Sequence, residues 1–576
     1  TTGRSLQMIT KMKIWNFKRF DEVVIDLGEN VVLIGPNDSG KTTALQALAL
    51  WDIGYRQWRA KRLGKSSAKQ RIGVAINRRD LISLPVATAD LLWRDRRVRS
   101  GTNREGKQQT LNIRIGVLVE GNGTGGDWQC GFEFDYANVE SIYCRPLGAI
   151  GEGEGQRMDV PEIPEPPNIA FLPPMSGLAD REYLKQTGEI SVLIGMGQTA
   201  QVLRNVCYKV CVEDPEKWAE VKGHVRRLFG VTLLDPVFEN STAEITMSYR
   251  DMASNELDLT CSGRGLLQTL LLTAYLYAHP QAVLLLDEPD AHLEVLRQRQ
   301  IYDLITTIAR SQKSQIIAAS HSEIVLNEAA SRRDRVIAFV GKPHSLTDKG
   351  SQVLKSLQDI GFDQYFQAEQ KGWVLYVEDA SDLAILKAFS QLLDHPLYRH
   401  LDSAFVKYVQ TDLPQRARDH FFGLREAKPD LKGFALFDRL DRQLQSHSGL
   451  VERMWSANEI ENYFCSPHVL LRYAGAPGNL FSERQKQAME EAIREVTQAL
   501  ETIGQPSPWS RDIKASEQVL EPILRNYSKK LGVSLVLRKS QFHELVQYLH
   551  PDEIDPEVVE VLNAILETAQ KASPTQ

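Results

Sequence analysis

Gly35-Pro36-Asn37-Asp38-Ser39-Gly40-Lys41-Thr42 follows the apolar run Val31-Val32-Leu33-Ile34 and leads into the helix-like Ala44-Leu45-Gln46-Ala47-Leu48. The spacing GxxxxGKT between a buried strand and a helix is the pattern of a phosphate-binding loop. Glycines let backbone N–H groups close around phosphate oxygens, and the helix N-terminus behind them favours negative charge. Lys41 is expected to reach the β- and γ-phosphates and Thr42 to hold Mg²⁺, with Gly35, Asn37, Gly40 and Thr43 completing the cradle. The expected cofactor is ATP with Mg²⁺.

A second half-site lies far downstream. Ala282-Val283-Leu284-Leu285-Leu286-Asp287-Glu288-Pro289 is an apolar strand ending in two acids. Nucleotides sit at the carboxyl ends of strands in open α/β sheets, so Asp287 is expected to bind Mg²⁺ beside Thr42. Glu288 is expected to activate the attacking water.

Three further segments narrow the ATPase class. Ser262-Gly263-Arg264-Gly265, ahead of an apolar helix, resembles a degenerate ABC signature, the turn that grips a γ-phosphate held by a second subunit. Asp290-Ala291-His292-Leu293 resembles the D-loop. Ile316-Ile317-Ala318-Ala319-Ser320-His321 ends a strand in the residue that ABC enzymes use as a switch. The glutamine of the usual Q-loop has no evident counterpart. In ABC-type sites the phosphate loop of one chain meets the signature of another, which implies a homodimer or a higher even-numbered assembly.

Composition sets the frame. At 576 residues the chain exceeds what one core supports, and two to four domains are expected. With 42% hydrophobic and 25% charged residues it reads as an ordinary globular protein, and a net charge of −6 places any nucleic-acid surface in a local patch. Cys130, Cys144, Cys207, Cys211, Cys261 and Cys465 form no CxxC pair, which suits a reducing compartment without structural zinc. A run of about eighteen apolar residues is missing, as is an apolar N-terminal leader, so no membrane partner and a cytoplasmic location are expected. No heptads are sustained over the roughly 220 residues from Thr42 to Ser262, against the long coiled-coil arms of chromosome-organising ATPases.

Inside that stretch, residues 56–107 carry fifteen Lys or Arg against four acids, with Trp58 and Trp93 interleaved. Such a run is either a solvated face or a contact for phosphates or an acidic protein. Pro161, Pro164, Pro166, Pro167, Pro173 and Pro174 mark a connector within the first domain.

A different pattern begins near residue 369. Trp373-Val374-Leu375-Tyr376-Val377 ends in Glu378, with Asp382 four residues on at a helix start. Gly433-Phe434-Ala435-Leu436-Phe437 ends in Asp438, with Asp441 close behind, and Glu459-Ile460-Glu461-Asn462-Tyr463 adds two acids. Hard divalent cations take clustered oxygen ligands, so Glu378, Asp382, Asp438, Asp441, Glu459 and Glu461 are candidate ligands for one or two Mg²⁺ or Mn²⁺ ions cutting a phosphodiester. Asp382 also has the position of an ordinary helix cap.

The combination resembles the overcoming-lysogenization-defect (OLD) family, in which an ABC-type ATPase head precedes a Toprim nuclease domain using Mg²⁺ or Mn²⁺; the likeness of the head covers roughly residues 8–345 and that of the Toprim part roughly 370–470, extending toward 570 with a helical insertion. The resemblance implies an α/β chain with a head over residues 1–368 and a Toprim-like domain over 369–576, helical from about 470. The Glu459–Tyr463 segment is also similar to the Toprim-type nuclease of the PARIS antiphage system, whose partner is ABC-like. The resemblance implies an ATP-gated nuclease of prokaryotic defence that cuts DNA or RNA, tRNA included, on sensing a phage trigger protein. OLD-type proteins also serve as retron effectors, which would add a reverse transcriptase and a non-coding RNA as partners. By position, Glu378 and Asp438 match the family's catalytic acids and Lys539 its charge-stabilising lysine. Position 440, where the family has the second acid of an Asp-x-Asp pair, is Leu440. Two alternatives stay open: a non-cleaving ATP-dependent sensor with a degenerate Toprim domain, and a RecF-like DNA-repair ATPase.

Overall fold

The computed structural model describes residues 8–65, 72–104, 107–123, 125–148, 157–163, 166–347, 360–410, 413–441, 443–445, 447–475, 482–534 and 536–575. Pro164 of the expected connector and residues 348–359, near the end of the expected first domain, lie outside them. The chain is mixed α/β and divides into two compact units, Thr1–Leu354 and Lys355–Gln576. This division falls earlier than the expected boundary at 368. Helix Phe362–Lys371 belongs with the second unit, where Gln364 bonds both Lys407 and His420.

Among the described residues two six-stranded sheets build the core of the first unit, and three smaller sheets flank them. One is antiparallel, ordered Phe20–Asp26, Met8–Phe17, Ile115–Gly123, Gly126–Asn138, Ser141–Pro146, Val74–Asn77. The other runs Asn168–Leu172, Ala282–Asp287, Gln315–Ser320, Asn30–Ile34, Arg335–Ala338, His344–Ser345, and its first five strands are parallel. Parallel strands buried on both faces need near-continuous apolar sequence, and Asn30–Ile34, Ala282–Asp287 and Gln315–Ser320 are buried at every position.

Helix Lys41–Arg62 lies in the core between these sheets. Its Leu45, Leu48, Trp51 and Tyr55 share one cluster with Val31, Leu33, Val283, Leu285 and Ile317 of the parallel sheet and with Val117, Phe132 and Phe134 of the antiparallel one. Trp51 stacks on Tyr55 with ring centroids 5.4 Å apart and donates its indole N–H to the Cys130 carbonyl at 2.9 Å. A two-faced apolar helix of this kind is held rigidly, which fixes the loop at its start.

The second unit is a four-stranded, all-parallel sheet ordered Phe405–Tyr408, Trp373–Val377, Lys432–Phe437, Leu450–Met454. Alternation along the strand splits its contacts: Trp373, Leu375 and Val377 enter the large cluster built with the C-terminal helices. Tyr376 points the other way and bonds His420 at 2.8 Å. Residues Ile385, Met489, Leu524, Leu545 and Val561 all join the former cluster, so the region after 470 is part of this unit's core.

Candidate nucleotide site and acidic site

The phosphate loop leaves its strand at the carboxyl edge of the parallel sheet, as the motif demands. Gly40 has φ of 106°, a left-handed conformation, and a Cβ there would meet Phe20 carbons at 2.9 Å. At Gly35 a Cβ would come within 2.7 Å of the Phe339 carbonyl oxygen. Both glycines are therefore required by shape. Lys41 is buried, and its ammonium donates to the carbonyls of Gly35 (2.7 Å) and Pro36 (2.9 Å). Burial pushes its pKa down, while Glu288, Asp287 and Asp290 oppose the shift.

Thr42 Oγ1 donates to both oxygens of Asp287 at 3.0 Å, across 245 residues of sequence. Asp287 is buried, and its pKa is pushed up to about 6 by burial against the Thr42 hydrogen bond. This Thr–Asp pair fits Mg²⁺, which is held by one or two carboxylates and a hydroxyl plus phosphates. Glu288 sits in the left-handed region with φ of 47° and donates its N–H to the Ala319 carbonyl at 2.9 Å. Such a conformation in a non-glycine residue costs about 1–3 kcal/mol and is kept where the surroundings over-determine it. Here it sets the Glu288 carboxylate 3.6 Å from His321 Nδ1. Asn37 and Thr42 are exposed and Thr43 is half-buried.

Ser262, Gly263 and Gly265 stand at the start of helix Arg264–Ala278. Ser262 Oγ donates to Leu259 O at 2.7 Å, and a Cβ at Gly265 would touch Leu293 at 3.4 Å, so this turn packs on the Asp290–Leu293 loop. Among the described residues no hydrogen bond or ion pair joins Ser262, Gly263 or Gly265 to Gly35–Thr43. Sequence reading missed Gln268, a buried residue of the same helix that donates to the Pro289 carbonyl at 3.3 Å and ties the helix to the Asp-Glu-Pro turn.

The second unit assembles its acids from three segments. Strands Trp373–Val377 and Lys432–Phe437 are paired neighbours, so Glu378 and Asp438 leave the sheet at one edge. Trp455 N–H donates to Phe437 O at 3.0 Å and Arg439 N–H to Asn458 O at 3.0 Å, which stitches the Glu459–Tyr463 segment to the same edge. Burial first, then the charges of Asp382, Glu378, Glu459 and Glu461, push the Asp438 pKa up to about 9. Burial, with Asp379 and Glu378 adding to it, pushes Asp382 up to about 7. Burial and Glu459 push Glu461 up to about 8. Five carboxylates thus act on one another in a poorly solvated place.

Each residue of Glu459–Tyr463 has a separate task. The Glu459 carboxylate accepts from the backbone N–H and, at 3.0 Å, the hydroxyl of Ser516. Ile460 is buried. Asn462 accepts from Glu459 N–H at 3.0 Å and donates to Ser510 O and Ile513 O, each at 3.0 Å. Tyr463 donates its hydroxyl to Glu557 and accepts the Ala457 N–H at 3.2 Å. Glu461 is buried, and its charge acts on Asp438 alongside that of Glu459.

Three expectations change here. Asp382 does serve as a cap, since one oxygen accepts from Glu378 N–H (3.0 Å) and Asp379 N–H (3.1 Å), but it is also one of the five interacting acids. Asp441 is exposed on its loop, and the four acids that raise Asp438 do not include it. Lys539 donates to Glu517 at 3.4 Å rather than to the cluster, and Lys514 bonds the same Glu517 oxygen at 3.1 Å. Both lysines act on Glu459 through space. Lys514 and Ser516 were missed, because nothing in Lys514-Ala515-Ser516-Glu517 marks it as a partner of a segment more than fifty residues away. Among the described residues no group of three or more His, Cys, Asp or Glu side chains is arranged to hold a metal ion as it stands.

The basic stretch is partly absorbed by the fold. Trp58 and Trp93 are core residues, 3% and 1% exposed, and offer no face for a base to stack on. Arg56 pairs with Asp52, Arg78 with Glu140, Arg94 with Asp21 and Arg96 with Asp90. Arg97 and Arg99 are exposed, and Arg99 begins a two-stranded ribbon, Arg99–Arg104 with Lys107–Asn112.

Two family models match the chain. Residues 8–51 match the family described as "AAA ATPase domain", and residues 243–327 match "AAA domain, putative AbiEii toxin, Type IV TA system". These segments hold the phosphate loop and the Asp287–Glu288, Ser262–Gly265 and His321 elements respectively. The first unit is an ATPase domain. No curated protein matches the chain. Solved structures similar to it include the Smc head domain of Pyrococcus furiosus, with an extended coiled coil and bound to the C-terminal domain of ScpA. It is 14% identical over 62% of this chain and 100% of that one, with a TM-score of 0.35. The SMC head domain of Thermotoga maritima is 14% identical over 59% and 98%, with a TM-score of 0.30. Among the described residues no helix is long and apolar enough to cross a membrane.

Proposed function

We propose that the chain is an ATP-gated, divalent-metal-dependent nuclease of the OLD type, with the second unit as a Toprim-like domain. The observation that carries this reading is the convergence of Glu378, Asp382, Asp438, Glu459 and Glu461 from three segments at one edge of a parallel sheet. Acids crowded in a buried place repel one another, and a divalent ion is the species that would lower that repulsion. Glu378, Asp438 and Glu461, with the outer oxygen of Asp382, would hold it. Bound there, the ion would supply Lewis acidity to a scissile phosphate. Glu459 is held by Ser516 and steers the neighbouring segment, while Lys514 and Lys539 place positive charge beside the acids for a phosphate backbone.

In the first unit Lys41 and the loop amides would hold ATP, Thr42 and Asp287 its Mg²⁺, and Glu288 would accept the proton of the attacking water. His321, 3.6 Å away, would orient Glu288 or sense the γ-phosphate. Among the described residues no hydrogen bond or ion pair ties the signature turn to its own phosphate loop, which supports a homodimer in which each turn would close the partner chain's site. Nucleic acid is the proposed partner, with Arg97, Arg99 and the ribbon as one contact. The likeness of residues 243–327 to a toxin-family domain fits a defence role set off by a phage protein, in a retron or as a self-contained system.

The test is cleavage of mixed DNA and RNA by the purified chain with Mn²⁺, with and without ATP. Cleavage that Glu378→Ala abolishes, with ATP turnover kept, is the expected outcome. Binding without cutting in every nucleotide state would overturn the nuclease reading. That second reading, a non-cleaving sensor, is favoured by Leu440 and by the side chains of the cluster not yet forming a metal cage.

A further inference from the structure

Helix Lys41–Arg62 and helix Arg264–Ala278 lead to one cavity of about 300 Å³ in the first unit, the small end of the range for ligand pockets. Asp52 and Arg56 of the former line it, as do Tyr275 and His279 at the end of the latter. Ile190 and Ile194 of helix Thr187–Gly195 and Lys209 of helix Leu203–Glu213 also line it. The cavity is not the nucleotide site. It contains Asn168, the first residue of its strand, whereas Asp287 closes the neighbouring parallel strand at the opposite edge. Along the helix, Ile53 of the cavity lies about 16 Å from Thr42.

The polar lining selects a ligand class. Asp52 is occupied, since it accepts from Arg56 Nε at 2.8 Å. Asp80 is occupied too, capping its own turn by accepting from Asn77 N–H at 3.2 Å. Arg56 also donates to Asn168 at 3.2 Å. Half-buried Lys209, by contrast, makes no hydrogen bond or ion pair among the described residues. His279 Nδ1 meets the Tyr275 carbonyl at 2.9 Å, so that nitrogen carries the proton and Nε2 is an acceptor when the ring is neutral. Burial pushes the His279 pKa down, which keeps the ring neutral. Beside the hydroxyls of Ser83, Thr187 and Ser191 and the Arg56 guanidinium, the lining offers one ammonium without a partner among the described residues, one imidazole acceptor and an apolar wall.

We propose that this cavity is an effector site for a small organic anion with an apolar body, the anion on Lys209 and the body against Ile190 and Ile194. A molecule seated there touches both the helix that carries the phosphate loop and the helix that carries the signature turn. It would favour one relative placement of the two, and the ATPase is regulated by as much as the ligand prefers that placement.

The test uses the full chain and 8-anilinonaphthalene-1-sulfonate, whose sulfonate and rings match the two halves of the site. One saturable site per chain is expected by fluorescence titration. Lys209→Met and Ile194→Trp should each weaken it about tenfold, and Lys209→Arg should leave it nearly unchanged. Saturating probe should change ATP turnover at least about twofold in the parent chain and not in Lys209→Met. Because Lys209 is on the wall and in no core cluster, its variants keep the test valid if Ile194→Trp fails to fold. Titrations that are the same in the parent, Lys209→Met and Lys209→Arg would overturn the site. Specific binding that leaves turnover unmoved would overturn its regulatory role.

Discussion

Asp287 and Glu288 leave their strand beside a lysine, whereas Glu378 and Asp438 leave theirs beside each other and three more acids. Both pairs stand at the carboxyl edge of a parallel sheet, and burial raises the pKa of one acid in each, Asp287 and Asp438, yet the charge balance around them is opposite. The first site carries a cation, Lys41, bonded to loop carbonyls. The second holds five carboxylates, with its lysines engaged by Glu517 at the rim. The same strand-end architecture therefore presents a buried cation in one unit, suited to phosphate, and clustered acids in the other, where we propose a divalent ion.

The comparison breaks most sharply at Lys41. Lys41→Ala should lower ATP affinity by about a hundredfold or more, read with a fluorescent ATP analogue, because a charge-assisted phosphate contact in a poorly solvated loop is lost. Metal binding in the second unit should not move. Unaltered ATP affinity would remove Gly35–Thr42 as the nucleotide site.

Glu288→Gln should reduce turnover by about 10²–10³-fold while leaving ATP bound. Bound ATP should then hold two heads together, seen as a dimer by light scattering. Turnover equal to the parent's would assign the proton acceptor elsewhere.

Mn²⁺ binding to the second unit should strengthen as pH rises from about 6 to 9, because the ion competes with protons on Asp382, Glu461 and Asp438, whose pKa values are raised to about 7, 8 and 9. Titration by electron paramagnetic resonance reads this directly. A flat profile would mean that these acids are ionised without metal, and the contrast drawn between the two sites would be lost.

The smallest effect is on stability. Asp438 has a folded pKa above its unfolded value, so the folded state holds a proton that the unfolded chain gives up between pH 4 and 9. The metal-free fold therefore loses stability as pH rises through that window. Asp438→Asn should remove this loss and raise the melting temperature at pH 8 by about 2–6 °C, the shift of 1–2 kcal/mol in a unit of this size. At pH 4 the two proteins should melt together. A variant less stable than the parent at pH 8 would show that Asp438 is ionised and paired.

Much of this was legible from residue order. The phosphate loop, the Asp287–Glu288 strand and the Glu378 and Asp438 strand ends were readable because a buried parallel strand announces itself as an apolar run, and the residue that follows it must emerge at the sheet edge. Trp58 and Trp93 were less so: an aromatic residue among arginines looks like a stacking platform until the packing shows it filling the core. Asp441 and Lys539 are near the right place in sequence, but a loop's direction is set by what it packs on.

Sequence by itself determined which short segments carry chemistry, because glycine geometry, strand periodicity and charge type are local properties. Two motifs read together already set Thr42 beside Asp287. Tertiary structure alone decided the partners that no motif names, and it brought Ser516 to Glu459. Among the described residues it also gave the Ser262–Gly265 turn no hydrogen bond or ion pair to its own phosphate loop. The reason is physical: contacts across tens or hundreds of residues depend on how the sheets stack and which helix faces are buried, and no local pattern encodes that.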